Sequence, residues 1–259
     1  GHYNASVNYS QSWQTWNVTA VSVSGGGTGG GGGGGGGAVA PAGPQFTVSP
    51  SSYQKTISLG KVESDSITIS NNANTEKAFT VKVETLEDII DIDESSFSLT
   101  AGNSKRLDFR IIAPLDTGIY TGKIIATSGS ISAEVLVTIN VKTEKSLFDI
   151  TLSIPQDMRV LSAGKVLVSQ INLLQMGVKE RVDVTIKYLI KDFEGNALFS
   201  ESETLAVTEQ KSLTKEFDTE GLAPGDYVLG AELIYPDGVA VASSQFKIKE
   251  EGITSRDKM

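Results

Sequence analysis

Beyond Phe46 the chain places apolar side chains at every second position, in one short run after another. The runs include Ile67/Ile69, Phe79/Val81/Val83, Leu107/Phe109/Ile111 and Val135/Val137/Ile139/Val141. Thr68, Thr80, Lys82, Asp108, Arg110, Thr138 and Asn140 fill the places between them. The later part repeats the scheme with Val182/Val184/Ile186/Tyr188/Ile190 against Asp183, Thr185, Lys187 and Lys191, and again with Leu229/Ala231/Leu233/Tyr235. A period of two turns one face of each strand to a core and the other to water, as half-buried antiparallel sheets require. No window of ten or more residues carries a 3.6-residue period. Ser128-Gly129-Ser130, Glu194-Gly195-Asn196 and Pro236-Asp237-Gly238 lie between alternating runs and predict tight hairpins. The fold class is all-β.

Two stretches repeat each other. Ala113-Pro114-Leu115-Asp116-Thr117-Gly118-Ile119-Tyr120 leads into a strand, and Leu222-Ala223-Pro224-Gly225-Asp226-Tyr227 does the same. The separation of Tyr120 from Tyr227 fits one domain of roughly 100 residues. The sequence therefore divides into domains at 45–143 and 147–249, followed by a charged tail, 250–259. Thr143 to Ser146 forms a short link expected to make the pair semi-rigid.

Residues 25–44 read as a flexible Gly/Pro/Ala-rich linker. Gly25–Gly37 is broken only by Thr28, and such a run neither holds a fixed backbone nor offers side chains to bury. Its roughly 20 residues would span about 25 Å on average. A phosphate-cradling loop is excluded, because no Gly-Lys-Ser/Thr ending and no preceding buried strand are present. Residues 1–24 carry Tyr9, Trp13, Trp16, Val18, Ala20 and Val21 among Ser and Thr. They read either as the end of an upstream β domain or as a free segment, Trp16 to Val23, that adds as a strand to a neighbouring subunit.

Composition removes most catalytic chemistry. The 259 residues include no Cys, and the single imidazole is His2, so neither a Ser-His-Asp triad, a Cys-His pair nor a His/Cys zinc site can be assembled. A formal net charge of −9 disfavours a nucleic-acid partner, since phosphate affinity comes from clustered Lys and Arg. No stretch approaches the roughly 18 apolar residues of a membrane-spanning helix. Ahead of Gln45 there is no Asp, Glu, Lys or Arg at all.

Leu99-Thr100-Ala101-Gly102-Asn103-Ser104, then a strand, Ala113-Pro114, and Gly118-Ile119-Tyr120-Thr121-Gly122-Lys123-Ile124 together resemble immunoglobulin-like modules of prokaryotic surface proteins. Residues 45–143 cover one such module. Residues 147–249 resemble a second, more divergent one, whose Gly225-Asp226-Tyr227-Val228-Leu229-Gly230 has one extra residue before the glycine. The whole plan is similar to archaeal cell-surface proteins in which a glycine tether joins serial Ig-like domains ahead of a C-terminal membrane anchor. The resemblance implies tandem antiparallel β-sandwiches, and a structural tyrosine corner at Tyr120 and Tyr227. It also implies an extracellular, surface-anchored location, the anchor lying in a segment outside this chain.

The remaining candidate chemistry is sparse. In Glu87-Asp88-Ile89-Ile90-Asp91-Ile92-Asp93-Glu94, Asp91 and Asp93 share one side of a strand as paired calcium ligands might, but Ile90 and Ile92 alternate with them as on a solvated strand face. A paired-carboxylate glycosidase needs no His, yet a sandwich of this size is expected to have no evident cleft. Phe79, Phe109, Phe217 and Tyr235 fall on the apolar phase. Phe193 and Phe199 flank a hairpin tip, a place where they could be exposed, but both Trp residues, Trp13 and Trp16, lie outside the two domains, and the missing aromatic platform counts against sugar binding. Asn4, Asn8 and Asn17 stand in N-x-S/T sequons and are glycosylation candidates in an exported protein. No catalytic residue, cofactor or metal is expected. The sequence reads as a non-catalytic surface protein, a spacer or adhesion stalk whose partners are other surface or envelope components. The alternative is a carbohydrate-binding accessory module of a surface enzyme.

Overall fold

In the computed structural model, which describes residues 44–177 and 180–250, the alternating runs become strands arranged in two pairs of stacked sheets. In the first pair one sheet runs β1 (Phe46–Ser49), β3 (Val62–Asn71), β7 (Ser104–Ile112), β5 (Ile90–Ile92). Its companion runs β2 (Ser52–Ser58), β9 (Ile131–Lys142), β8 (Gly118–Ser128), β4 (Lys77–Glu84), β6 (Ser96–Leu99). In the second pair the smaller sheet is β10 (Phe148–Ser153), β12 (Leu167–Gln175), β15 (Gln210–Phe217). The larger is β11 (Val160–Ser162), β17 (Gly238–Lys249), β16 (Gly225–Tyr235), β13 (Val182–Lys191), β14 (Ala197–Val207). Each pair is an Ig-like β-sandwich. A single 3-10 turn, Gln156–Met158, is the only helical segment among the described residues.

Each sandwich has its own core, built from the expected alternation. Val135, Val137, Ile139 and Val141 of β9 are fully buried and cluster with Ile67, Ile69, Leu107, Phe109 and Ile111 from the opposite sheet. The second core gathers Ile171, Leu173, Ile186, Tyr188, Leu229 and Leu233. Burying one such side chain contributes about 1.5–3 kcal/mol before the entropy of ordering the chain is set against it. Aromatic rings meet edge-on at Phe46–Phe79 (5.1 Å) and Tyr188–Phe217 (5.5 Å), which favours one packing over its alternatives.

Most strand pairs are antiparallel, but two edges are not. β2 runs parallel to β9 and β11 parallel to β17, because the chain crosses to the opposite sheet after β1 and again after β10. Pro50, with no N–H to donate, stands at the first crossing. The two tyrosines behave alike: Tyr120 Oη donates to the carbonyl of Asp116 (3.0 Å) and Tyr227 Oη to that of Ala223 (2.6 Å). Burial pushes both hydroxyls above the ordinary tyrosine range.

Two expectations need correction. Phe193 is buried, 2% exposed, and Phe199 is half-buried against the second core, edge-on to Phe217 at 5.8 Å. Moreover, the outward faces of β8, β9, β16 and β17 do not meet water throughout, because the two sandwiches press these faces together. The linker at 25–43, residues 1–24 with Asn4, Asn8 and Asn17, and the tail beyond Glu250 lie outside the described residues.

Candidate functional site: the junction of the two sandwiches

Strand alternation decides what reaches the junction. With Tyr120 and Ile124 turned toward the first core, Ile119 and Thr121 point away from it; with Leu229 and Ala231 in the second core, Val228 and Gly230 point away. Ile119, Leu189, Phe193, Val228 and Val241 close into a third buried apolar cluster, with Leu136 and Val239 packed alongside. Gly230 leaves the room that the end of the Ile119 side chain fills. A Cβ at this position would lie 2.0 Å from Ile119 Cδ1.

Polar pairs surround the cluster. Gln54 Nε2 donates to Ser243 O (3.0 Å) and Oγ (3.1 Å), and Ser243 Oγ donates to Asn140 Oδ1 (2.8 Å). Gln245 Nε2 reaches Thr138 Oγ1 at 3.4 Å. The link itself takes part: the Thr143 N–H donates to Val239 O (3.1 Å) and the Val239 N–H to Thr143 Oγ1 (3.2 Å). Lys191 Nζ donates to the carbonyl of Ile119 at 2.9 Å. Burial lowers the Lys191 pKa, with the charges of Glu232 and Asp192 acting in the opposite direction.

The β13–β14 hairpin clasps the first sandwich. Asp192 Oδ1 accepts the N–H groups of Glu194 (3.0 Å) and Asn196 (2.8 Å), and Oδ2 accepts the Asn196 side-chain amide (2.8 Å), which sets the loop. Phe193 then enters the apolar cluster and Glu194 meets Lys123 at 2.8 Å. That hydrogen bond raises the Lys123 pKa against the opposing effect of burial. Gly195 lies so close to Thr85 that a Cβ would fall 2.7 Å from Thr85 Cγ2. Thr85 itself has φ 71°, uncommon for a β-branched residue, and marks local backbone strain at this contact.

Contrary to the expectation of no cleft, two open clefts flank the junction. One, of about 340 Å³, lies beside Gln54, Asn140 and Val241. The other, of about 660 Å³, is lined by Lys123, Glu134, Asp192, Glu194 and Asp226 among others. Four of its carboxylates are engaged: Glu134 and Glu194 share Lys123, Asp226 pairs with Lys247 at 3.0 Å, and Asp192 holds the hairpin. In the acidic segment, Ile90 is buried and Asp91 pairs with Arg110, while Glu94 pairs with Lys105 at 2.7 Å. Among the described residues no group of three or more His, Asp or Glu is placed to hold a metal ion.

Sequence reading missed the junction residues, though a signal existed. Leu189-Ile190, Val228-Leu229 and Ala240-Val241-Ala242 are apolar in both phases, the mark of strands covered on both faces.

No family model and no curated protein matches the chain. Solved structures do resemble it. A protein of unknown function from Porphyromonas gingivalis is 11% identical, covering 81% of this chain and 100% of its own, with a TM-score of 0.40. The PapD-like domain 7 of human CEP192 is 10% identical over 41% of this chain and 94% of its own, TM-score 0.33. The CARDB domain of the PF1109 protein from Pyrococcus furiosus, solved with di-metal ions, is 15% identical over 40% and 94%, TM-score 0.31.

Proposed function

We propose that this chain is a non-catalytic module of a cell surface, in which two Ig-like sandwiches act together as a stiff spacer or adhesion stalk. The observation that carries the reading is the junction. An apolar cluster, a clasping hairpin and a ring of polar pairs join the sandwiches and oppose bending at the short link. A spacer needs this, because its purpose is to hold a fixed separation between its ends. Surface exposure is supported by the resemblance of the Gly118–Ile124 segment to surface modules and by the glycine-rich stretch ahead of Gln45.

The test is display on the producing cell. Antibody raised against residues 44–250 should label intact cells, and external protease should remove the signal; labelling only after lysis contradicts the proposal. A glycan array separates the accessory-module alternative: no saturable binding is expected, and reproducible carbohydrate binding replaces the spacer reading.

A further inference from the structure

The first sandwich receives the chain at one end and releases it at the other. β2, which follows the first crossing, and β9, which leads into the link, run parallel from Ser52↔Leu136 to Ser58↔Lys142. Tension on the chain ahead of Ser52 and beyond Lys142 therefore draws these two neighbours in opposite senses along their shared axis.

The ladder between them is unbroken. At its two ends the Leu136 N–H donates to Ser51 O (3.1 Å) and the Leu59 N–H to Lys142 O (2.9 Å). Bonds of a parallel pair are evenly spaced, so Tyr53, Lys55 and Ile57 make those between, and the N–H groups of Gln54 and Thr56 turn away from β9. Lengthwise sliding stretches all of these bonds together, whereas peeling from one end stretches them in turn.

Side chains of β2 oppose the same displacement. Tyr53 and Ile57 are buried in the first core, where the Tyr53 ring meets Phe109 edge-on at 5.4 Å and its hydroxyl donates to Asp65 at 2.8 Å. Lys55 pairs with Glu63 of β3 at 2.8 Å, and Gln54 is held by Ser243 of the second sandwich. The corresponding strand of the second sandwich is far weaker. β11 lies beside β17 for three residues only, none of them buried.

We propose that the first sandwich is a load-bearing element, which holds end-to-end tension through the β2–β9 ladder loaded in shear. The biological use of that strength rests on the stalk reading, since a stalk joining a cell to a partner is pulled from both ends. The mechanics rest on the strand directions alone. Resistance to force is a matter of the unfolding rate along the pulled direction, so one fold of one stability can be strong lengthwise and weak crosswise.

The test pulls single molecules of the whole chain between two introduced thiols, the chain having no Cys of its own. Ser51→Cys with Glu144→Cys loads β2 against β9 lengthwise. Lys61→Cys with Glu144→Cys draws on the adjoining ends of the same strands and peels them apart. All three positions are exposed and lie outside β2 and β9, so both variants should melt alike. At one loading rate the lengthwise pair should unfold at roughly twice the force of the peeling pair or more. Lys55→Pro, which takes one N–H out of the ladder, should lower the lengthwise force, and Thr56→Pro, whose N–H points off the ladder, should leave it unchanged. Equal forces in the two directions overturn the proposal, and so does a lengthwise force that Lys55→Pro leaves intact. The comparison of directions decides the matter even where Lys55→Pro does not fold. Because it uses purified protein, its outcome is independent of the cell-labelling test of the stalk reading.

Discussion

Gly230→Ala is the sharpest perturbation of the junction. The added methyl would fall 2.0 Å from Ile119 Cδ1, whereas carbon atoms in contact lie about 3.5–4.0 Å apart. The Ile119 side chain must retreat, in a cluster where Ile119, Val228 and Leu189 are at most 6% exposed. Overpacking of this kind costs about 1–3 kcal/mol, and the restricted unfolded chain returns up to about 1 kcal/mol. The net expectation is a loss of about 1–2 kcal/mol. Ile119→Val removes the obstructing atom and by itself costs about 0.5–1.5 kcal/mol. The pair should therefore couple: the double variant should lose about 1 kcal/mol less than the two single losses added together. Urea unfolding followed by far-UV circular dichroism measures all four proteins. Additivity within about 0.5 kcal/mol, the behaviour of sites that do not touch, would refute the packed junction.

Three further outcomes follow from named contacts. Asp192→Ala removes the acceptor for two backbone N–H groups and one side-chain amide, so stability should fall by about 1–2 kcal/mol and exchange in residues 192–196 should accelerate; an unchanged melt and unchanged exchange contradict the clasp. Burial first, and then the bonds to Asp65 and Glu203, hold the Tyr53 and Tyr188 hydroxyls well above their ordinary range. The folded chain keeps protons that the unfolded chain releases near pH 10, so stability complete below that pH should decline above it. The slope is at most about 1.4 kcal/mol per pH unit for each tyrosine, and Tyr188→Phe should flatten it by one residue's share; an unaltered slope sinks the argument. Finally, Glu201 and Glu203 face the sandwich interior at the free edge of β14, where Glu201 meets Lys215 at 2.7 Å and Glu203 accepts from Tyr188 Oη at 2.6 Å. Inward charges of this kind oppose edge-to-edge pairing. Replacing both with Val should produce concentration-dependent association in sedimentation velocity, and a persistent monomer would count against that role.

The cores were legible because their residues obey a local rule. Val135, Val137, Ile139 and Val141 announce one face of one strand, and the Gly129 and Gly195 turns separate strands that pair with each other. The matching segments before Tyr120 and Tyr227 were equally visible, since each hydroxyl bonds only four residues back. The junction was not. Ile119, Val228 and Val241 are apolar on the phase reserved for water; runs apolar in both phases mark strands covered on both faces, but nothing local names the surface that covers them. Phe193 was misplaced for the same reason, since its cover comes from Ile119, more than 70 residues earlier in the chain. The parallel edges were hidden too: β11 is three residues long, and its partner β17 is fixed by tertiary packing rather than by any nearby turn.

The stiffness of the pair can be measured directly. The chain has no Cys, so Thr68→Cys on β3 and Thr214→Cys on β15 would supply the only two thiols for spin labels on opposite sandwiches. A junction closed by packing and hydrogen bonds predicts one narrow distance distribution, which Gly230→Ala broadens. A distribution already broad in the unaltered chain, as expected of two modules turning freely about Thr143 to Ser146, would contradict the account.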